Sequence, residues 1–457
     1  MLLTSRYCEQ MGSNMHFTLM NVSRWECTPL SGVRGQRSSL RTWARLRDSR
    51  ITSPTVLSVV VRGMVVVGGW YAPAVHAAGA PGSVNVGPLE VTPNLGLEAQ
   101  HRSNIYRRPS NETSDIILRA TPSIIVAAQE RLNTYTLSYD GDYGYFQDNL
   151  PGQTNDYNDH RINAAAHVEP TSRWIVEVEA GWGDIHEDRG TGLSEGAIGQ
   201  GISEPITFEQ ATAGVSVTYG AKGAGRIQAV ANSLQKEYQN FRSSTAFRDY
   251  SENTLGANVF FPVAPKTDIT VQYQRSQTEY PIAAGSLPSF DSTIDTISTG
   301  AVWEASAGLT SSARVGYTER EFDDAGRVDF GGLFWSLDLQ LQPNSRTLAF
   351  IQGAQETVET MLVGDFIYRR ALRANISRDL GAFTSLDVRA SYTRDSYEGT
   401  TNNRTDDLIN AGIRVNYSFW RQAPIYIQYS YEEKDSTVGA LSYTDHVIAV
   451  GFTFGLP

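Results

Sequence analysis

Cysteine is almost missing from this 457-residue chain; its two residues, Cys8 and Cys27, both precede residue 78. A disulfide framework, a cysteine zinc site and a thiol nucleophile are thereby excluded from everything after that point. No run of 18 or more uncharged apolar residues occurs, which argues against membrane-spanning helices. The seven histidines include no HExxH pair, and His160 and His167 stand in no zinc-ligand spacing. The glycines at 190, 192, 196, 199 and 201 suggest a flexible loop tip rather than a phosphate cradle, because no strand-loop-helix context follows. Basic residues are also scarce where they would matter for nucleic acid. The formal charge is −11, and the first 77 residues hold nine Arg against three acids, leaving 29 basic and 46 acidic residues, or −17, from residue 78 on. That balance disfavours a nucleic-acid partner.

What the chain does have is alternation. In the segment from Trp174 to Trp182, one face reads Trp174, Val176, Val178, Ala180, Trp182 and the other Ile175, Glu177, Glu179, Gly181. A strand turns successive side chains to opposite faces, so one side is apolar with aromatic ends and the other carries carboxylates. Eight residues rise roughly 27 Å, or about 20 Å along a membrane normal at the tilt of outer-membrane strands, which approaches the height of their apolar band. The same two faces recur. Tyr135, Leu137, Tyr139, Tyr143 and Tyr145 oppose Thr136, Ser138, Asp140 and Asp142, and Leu333, Trp335, Leu337, Leu339 and Leu341 oppose Ser336, Asp338 and Gln340. About eighteen such segments follow one another, from one near 91–105 through one near 405–419 to the last near 443–455. Strands this long exceed the five or six residues usual in soluble proteins. Short links such as Glu130-Arg131 and Pro343-Asn-Ser345 alternate mostly with longer polar ones such as 147–157 and 187–204. The expected fold is therefore all-β: a closed, antiparallel up-and-down transmembrane barrel with short periplasmic turns and longer extracellular loops.

The ends fit an outer-membrane protein. Val56 to Trp70 is apolar apart from Ser58 and Arg62, follows an arginine-rich stretch, and leads to Val75-His76-Ala77, a small-x-small cleavage pattern. Residues 1–77 are read as an upstream extension and signal peptide, with the true start downstream of Met1, residues 78–90 as a periplasmic lead-in, and 91–457 as the barrel. The last segment places Ile448, Val450, Phe452 and Phe454 on one face, similar to the carboxy-terminal signal read by barrel-assembly machinery, although Gly455-Leu456-Pro457 follows the aromatic residue.

Charged residues that alternate with apolar ones are expected to line the pore: Glu177, Glu179, Arg314, Arg320, Asp338, Arg369, Arg373, Asp387, Arg389 and Arg414. Acids and arginines on opposite walls would set a transverse field that orients polar solutes; mixed pairs can also simply brace the wall. Trp174, Trp182, Trp303, Trp335 and Phe419 are the expected aromatic girdle. Arg370 and Arg275 break the pattern by falling on apolar faces, where they would snorkel to an interface. Phe260 and Phe334 sit on polar faces without forming a ladder for sugar rings. No catalytic constellation stands out; Asp445-His446 is an adjacent acid-histidine pair near a rim, and Glu177/Glu179 and Asp406/Asp407 lack any hydrolase pattern around them. No enzyme activity, cofactor or metal is expected. The loop acids Asp323-Asp324 and Glu432-Glu433 could hold divalent cations that bridge lipopolysaccharide.

At Asn104-Ile-Tyr-Arg107, followed by Ser114-Asp115 and Thr121-Pro-Ser123, the chain resembles a bacterial family of outer-membrane β-barrel porins often associated with exopolysaccharide or capsule secretion. The likeness extends over roughly residues 88–457. It implies an export pore for exopolysaccharide or another polar polymer in the bacterial outer membrane. The implied partners are outer-membrane lipid and lipopolysaccharide, the barrel-assembly machinery and periplasmic polysaccharide-export components. Two other functions remain open: a general or substrate-specific diffusion porin for small polar solutes, and a non-conducting structural or assembly barrel.

Overall fold

The computed structural model describes residues 83–455 apart from 150–151, 197–201, 222, 284, 286–287, 307, 361–363, 400–403 and 420–422. The expected signal peptide and upstream extension lie outside the described residues, as do Gly199 and Gly201. A short strand, β1 (Val84–Val86), precedes eighteen long ones. They are β2 (Leu89–Arg102), β3 (Asp115–Glu130), β4 (Asn133–Phe146), β5 (Tyr157–Thr171), β6 (Trp174–Glu187), β7 (Ile206–Gly220), β8 (Arg226–Tyr238), β9 (Tyr250–Ala264) and β10 (Thr267–Glu279). The second half comprises β11 (Ser292–Ser306), β12 (Leu309–Phe322), β13 (Phe330–Asn344), β14 (Thr347–Val358), β15 (Phe366–Asp379), β16 (Thr384–Glu398), β17 (Arg404–Tyr417), β18 (Ile425–Ser436) and β19 (Tyr443–Gly455).

Each long strand pairs antiparallel with its neighbours in sequence, and β19 pairs with β2, so the sheet closes on itself. Closure is what lipid demands, because an open edge would leave backbone donors and acceptors unpaired in hydrocarbon. β19 runs out at Gly455, opposite Asn94, and β1 takes over the same edge of β2, with Val84 opposite Val91 and Val86 opposite Leu89. The barrel thus begins two residues ahead of the expected Val91, and part of the lead-in is itself paired strand.

The period-two reading carries directly into exposure. Trp174, Val178 and Trp182 are exposed on β6, while Glu177 between them is buried at 8%. Leu255, Ile297 and Ile427 are more than half exposed on their own outward faces. Buried apolar clusters are few and gather near the longer loops rather than in a central core. A circular ring of eighteen strands at normal spacing and tilt would be roughly 35 Å across, wide enough for an aqueous lumen.

Candidate functional site: the lumen wall and its mouth

Links at the two rims differ in length. One rim carries short turns such as 131–132, 172–173, 265–266 and 345–346; the other carries 103–114, 188–205, 239–249, 280–291 and 359–365. In outer-membrane barrels the short-turn rim is periplasmic. The long-loop rim is where this chain concentrates its buried polar groups.

Described residues of the connection after β6, 188–196 and 202–205, lie at that mouth. Leu193 and Ile202 join Ile206 and Phe208 of β7 and Tyr238 of β8 in one apolar cluster. Two residues beyond Leu193, the Glu195 carboxylate accepts from Arg404 of β17 at 2.8 and 3.0 Å and from Lys434 of β18. Nine steps around an eighteen-strand ring is half a turn, so β8 and β17 stand on opposite walls. The segment is therefore a strap pinned by an apolar contact at one side and by ion pairs at the other. Gly190, at φ +77°, is the residue that lets the strap approach: a Cβ there would collide with the carbonyl of Tyr106. The glycines expected to make a flexible tip instead include one at a tight, pinned contact.

Asn104-Ile-Tyr-Arg107 lies at the start of the loop 103–114, since β2 stops at Arg102 rather than continuing to residue 105. Asn104 is fully buried; its Nδ2 donates to the carbonyls of Arg108 and Thr444, its Oδ1 accepts from the Arg108 N–H, and its own N–H donates to Asp445. Arg107 donates to Glu432 at 2.8 Å, to Asp188 at 2.9 Å and to the Arg189 carbonyl at 3.1 Å. Burial opposes ionisation of Asp188, but Arg107 and Arg102 outweigh it and hold the carboxyl well below the usual carboxylate range. Burial likewise works against the Arg107 charge, and Glu432 and Asp188 override it, so its pKa is raised further. Arg189, whose Nη1 donates to the Ile202 carbonyl, is the contrary case: burial prevails and lowers its pKa.

A second group ties four more loops together. Arg327 donates to Asp365 and to the carbonyls of Pro288 and Ser289, with its guanidinium 3.3 Å from the Phe290 ring centroid. Arg248 donates to the Thr360 carbonyl and lies 4.6 Å from the same ring. Glu359 accepts from Tyr280 and from Arg320, each at 2.5 Å.

The residues expected on the lumen wall separate into braced and open ones. Glu177 accepts from Ser216 at 2.9 Å and lies 3.4 Å from His167 Nδ1; Glu179, two residues on, is half-buried. Asp338 accepts from Ser312 and Gln352, and buried Arg314 stands one inward position from it, opposite Ser336. Arg320 is fully buried at the mouth, with its amino group on Glu359 and Ser292, so it serves the rim rather than the wall. Arg369 makes a two-point contact with Asp395 at 2.6 and 2.7 Å. Asp387 accepts from Ser377 and Asn416. Arg389 and Arg414 converge on one atom, Gln428 Oε1, at 3.0 and 2.8 Å. Arg389 passes over Gly412, where an added Cβ would come within 3.8 Å of its Cγ. Arg373 is exposed on β15, which is nine strands from the β6 of Glu177 and Glu179 and hence on the opposite wall.

On the outward face, Trp174 and Trp182 are exposed and Trp174 packs against Tyr219 with ring centroids 4.8 Å apart. Trp303 is half-buried near a short turn, Trp335 donates to Gln355, and Phe419 is exposed beside Tyr417 at the short-turn end. Phe260 and Phe334 are buried. Asp445 and His446 cannot act together: Asp445 turns inward to Arg102, Ser103 and Asn104, while His446 meets Tyr429 on the other face. Glu432 and Glu433 belong to β18 rather than to a loop; Glu432 is committed to Arg107 and Glu433 accepts from Tyr431. Asp324 accepts from the Gly326 N–H in its own loop and from the Ser289 N–H in the loop 280–291. Asp406 is drawn into the Arg404 cluster and Asp407 faces outward to Tyr392, so this acid pair is also split.

Among solved structures, the chain is similar to OccK9 (OpdG) of Pseudomonas aeruginosa, at 12% identity and TM-score 0.44 over 80% of this chain and 98% of that one. It is also similar to the siderophore receptor PirA of Acinetobacter baumannii, at 6% identity and TM-score 0.42 over 80% of each chain. No curated protein matches. Residues 77–455 match the family described as Putative beta-barrel porin 2, and with a closed eighteen-strand barrel the chain belongs to that family of bacterial outer-membrane proteins.

Proposed function

We propose that this barrel is a diffusion pore for small polar solutes. The observation that carries the reading is the strap through Leu193 and Glu195, held to β7 and β8 by an apolar cluster and to β17 and β18 by Glu195, which favours a small solute over a polymer. The wall chemistry supports it. Glu177 and Glu179 on β6 face the side of the lumen that bears Arg373 on β15, with Arg389 and Arg414 on the next two strands. Opposed charges across a water-filled bore orient a dipolar or zwitterionic solute and concentrate it there.

Export of exopolysaccharide, the function implied by the family resemblance, would require the strap to leave the mouth. The two readings part in one experiment. Purified full-length protein in planar bilayers and liposomes should conduct ions and admit small sugars and amino acids while excluding oligosaccharides of more than a few units. Deletion of the gene should leave surface polysaccharide intact. Loss of surface polymer on deletion, together with no small-solute flux through the purified protein, would overturn this reading in favour of polymer export.

A further inference from the structure

We propose that the outward face of β15 and β16 carries a binding site for a phosphorylated outer-leaflet glycolipid, formed by Arg370 and Arg394. The two residues are directly opposite each other in the strand register. Both are on the outward face, Arg370 between Tyr368 and Leu372 and Arg394 between Tyr392 and Ser396, and both are exposed. Like charges placed directly opposite on neighbouring strands repel each other. An anion between them removes that cost.

The neighbours shape the site. Arg370 Nε donates to Gln355 Oε1 at 3.0 Å, and its guanidinium lies 5.4 Å from the Tyr368 ring centroid. Gln355 is fixed in turn by Trp335, by Tyr368 and by the Leu333 carbonyl. Arg394 Nε is 3.7 Å from Asp407, whose same oxygen already accepts from Tyr392 at 2.6 Å. Both arginines are thus steadied through Nε, the inner edge of the fork, whereas a phosphate engages a guanidinium through its terminal amino groups. Among the described residues, Asp407 is the one carboxylate facing the pair from an adjacent strand at this level; Asp435 lies a strand further, opposite Asp407.

Height decides the source of the phosphate. Arg370 is four residues inside the long-loop end of β15, and Arg394 four residues inside that of β16. Below them the outward positions turn apolar, with Leu372, Ala374 and Ile376 on β15 and Leu386, Val388 and Ala390 on β16. From Ile409 to Tyr417 on β17, the neighbouring apolar stretch spans roughly 20 Å along the normal, close to the height of the lipid-facing band. The arginine pair therefore sits immediately above the hydrocarbon on the long-loop side. That is the level of lipid headgroups, and in the outer leaflet of this membrane those are phosphorylated glucosamines. Arg275, at a similar level, meets Asp295 at 3.7 Å much as Arg394 meets Asp407, but it faces no second arginine: its other cross-strand partner is Leu255.

The test uses full-length protein in detergent, scored by native mass spectrometry and by a lipid-retention assay with bisphosphorylated lipid A and its dephosphorylated form. The wild-type protein should retain the bisphosphorylated lipid at least tenfold more strongly than the dephosphorylated one. R370Q/R394Q should abolish the preference, and R275Q should keep it. Folding of each variant is read from heat-dependent gel mobility; if the double variant does not fold, R394Q alone should reduce the preference several-fold. Equal retention by wild type and a folded variant, or equal retention of the two lipids by wild type, would overturn the site. Displacement of the lipid by millimolar inorganic phosphate would show a simple anion site and remove the glycolipid from the assignment.

Discussion

Polar groups on the lumen wall and polar groups at the mouth find their partners over very different stretches of chain. On the wall, Arg369 and Asp395 are 26 residues apart, Glu177 and Ser216 are 39 apart, and Ser377 and Asp387 only 10. At the mouth, Arg107 meets Glu432 across 325 residues, Glu195 meets Lys434 across 239, and Arg404 meets Glu195 across 209. Wall contacts come from strand register between neighbouring or next-neighbouring strands. Mouth contacts exist only once distant loops have been brought over the lumen, and they are more deeply buried. The wall should therefore tolerate polar exchange while the mouth should not.

The largest effect expected from breaking that contrast is at Glu359. Glu359→Ala leaves Arg320, which is fully buried, without its carboxylate, and removing one partner of a buried pair costs about 3–5 kcal/mol. Urea unfolding of the reconstituted barrel measures it, and a loss below about 1 kcal/mol would mean that the mouth is no more demanding than the wall. Next comes the lipid face. Val178→Arg should cost about 2–4 kcal/mol for folding into lipid, as expected of a charge near the midplane. At the adjacent inward position, Glu177→Gln should cost no more than about 1 kcal/mol, since Ser216 still has an acceptor, while shifting the reversal potential toward anions. Equal sensitivity of the two positions would discard the inside-outside assignment of β6.

A smaller change is expected at the strap. Glu195→Gln removes the charge that meets Arg404 and Lys434 but leaves Asp406 with both, so loop attachment should weaken by about 1.5–3 kcal/mol. Faster proteolysis within 188–205 and larger single-channel current are the expected readouts; unchanged current would show that the strap does not limit the bore. The smallest effect is that of mild acid. Asp188 has a folded pKa held well below the ordinary carboxylate value, so its contribution to attachment is complete above about pH 4 and is lost only as pH falls through the depressed folded value. Protease resistance of the strap should be flat from pH 7 to about pH 5. Release within that window would mean that a different group governs it.

This contrast also explains what could be read from the chain before its structure. Alternation located all eighteen long strands, because each residue of a membrane strand is chosen by only two environments, lipid or lumen, and β6 carries that choice plainly in Trp174-Ile-Val-Glu. Arg370 and Arg275 are visible for the same reason, each being in the wrong phase. The mouth left almost no periodic trace. Asn104-Ile-Tyr-Arg107 was noticeable as a motif, but nothing local says that Asn104 would meet Thr444 or that Arg107 would join Asp188 to Glu432. Arg320 was in phase with the lumen yet belongs to the rim, since phase along a strand fixes the side and not the height at which a loop folds back. The strap residue Glu195 gave no sign at all, standing in a polar, glycine-rich stretch like many exposed loops.

The seam between β2 and β19 has a consequence in time. Leu97 and Phe452 are partners across the ring although they stand 355 positions apart in the chain. Every other neighbouring pair can form as a hairpin soon after its residues are available, but this one must wait for the final strand. Until then the first strand offers an unpaired edge to whatever other strand is near. The tiny β1, folded back on Leu89–Val91, covers only the lowest part of that edge. Assembly thus sets the arrival of residues 443–455 against capture of the waiting edge by another chain, and the closing pair carries a larger loop-closure cost than any of the seventeen hairpins before it.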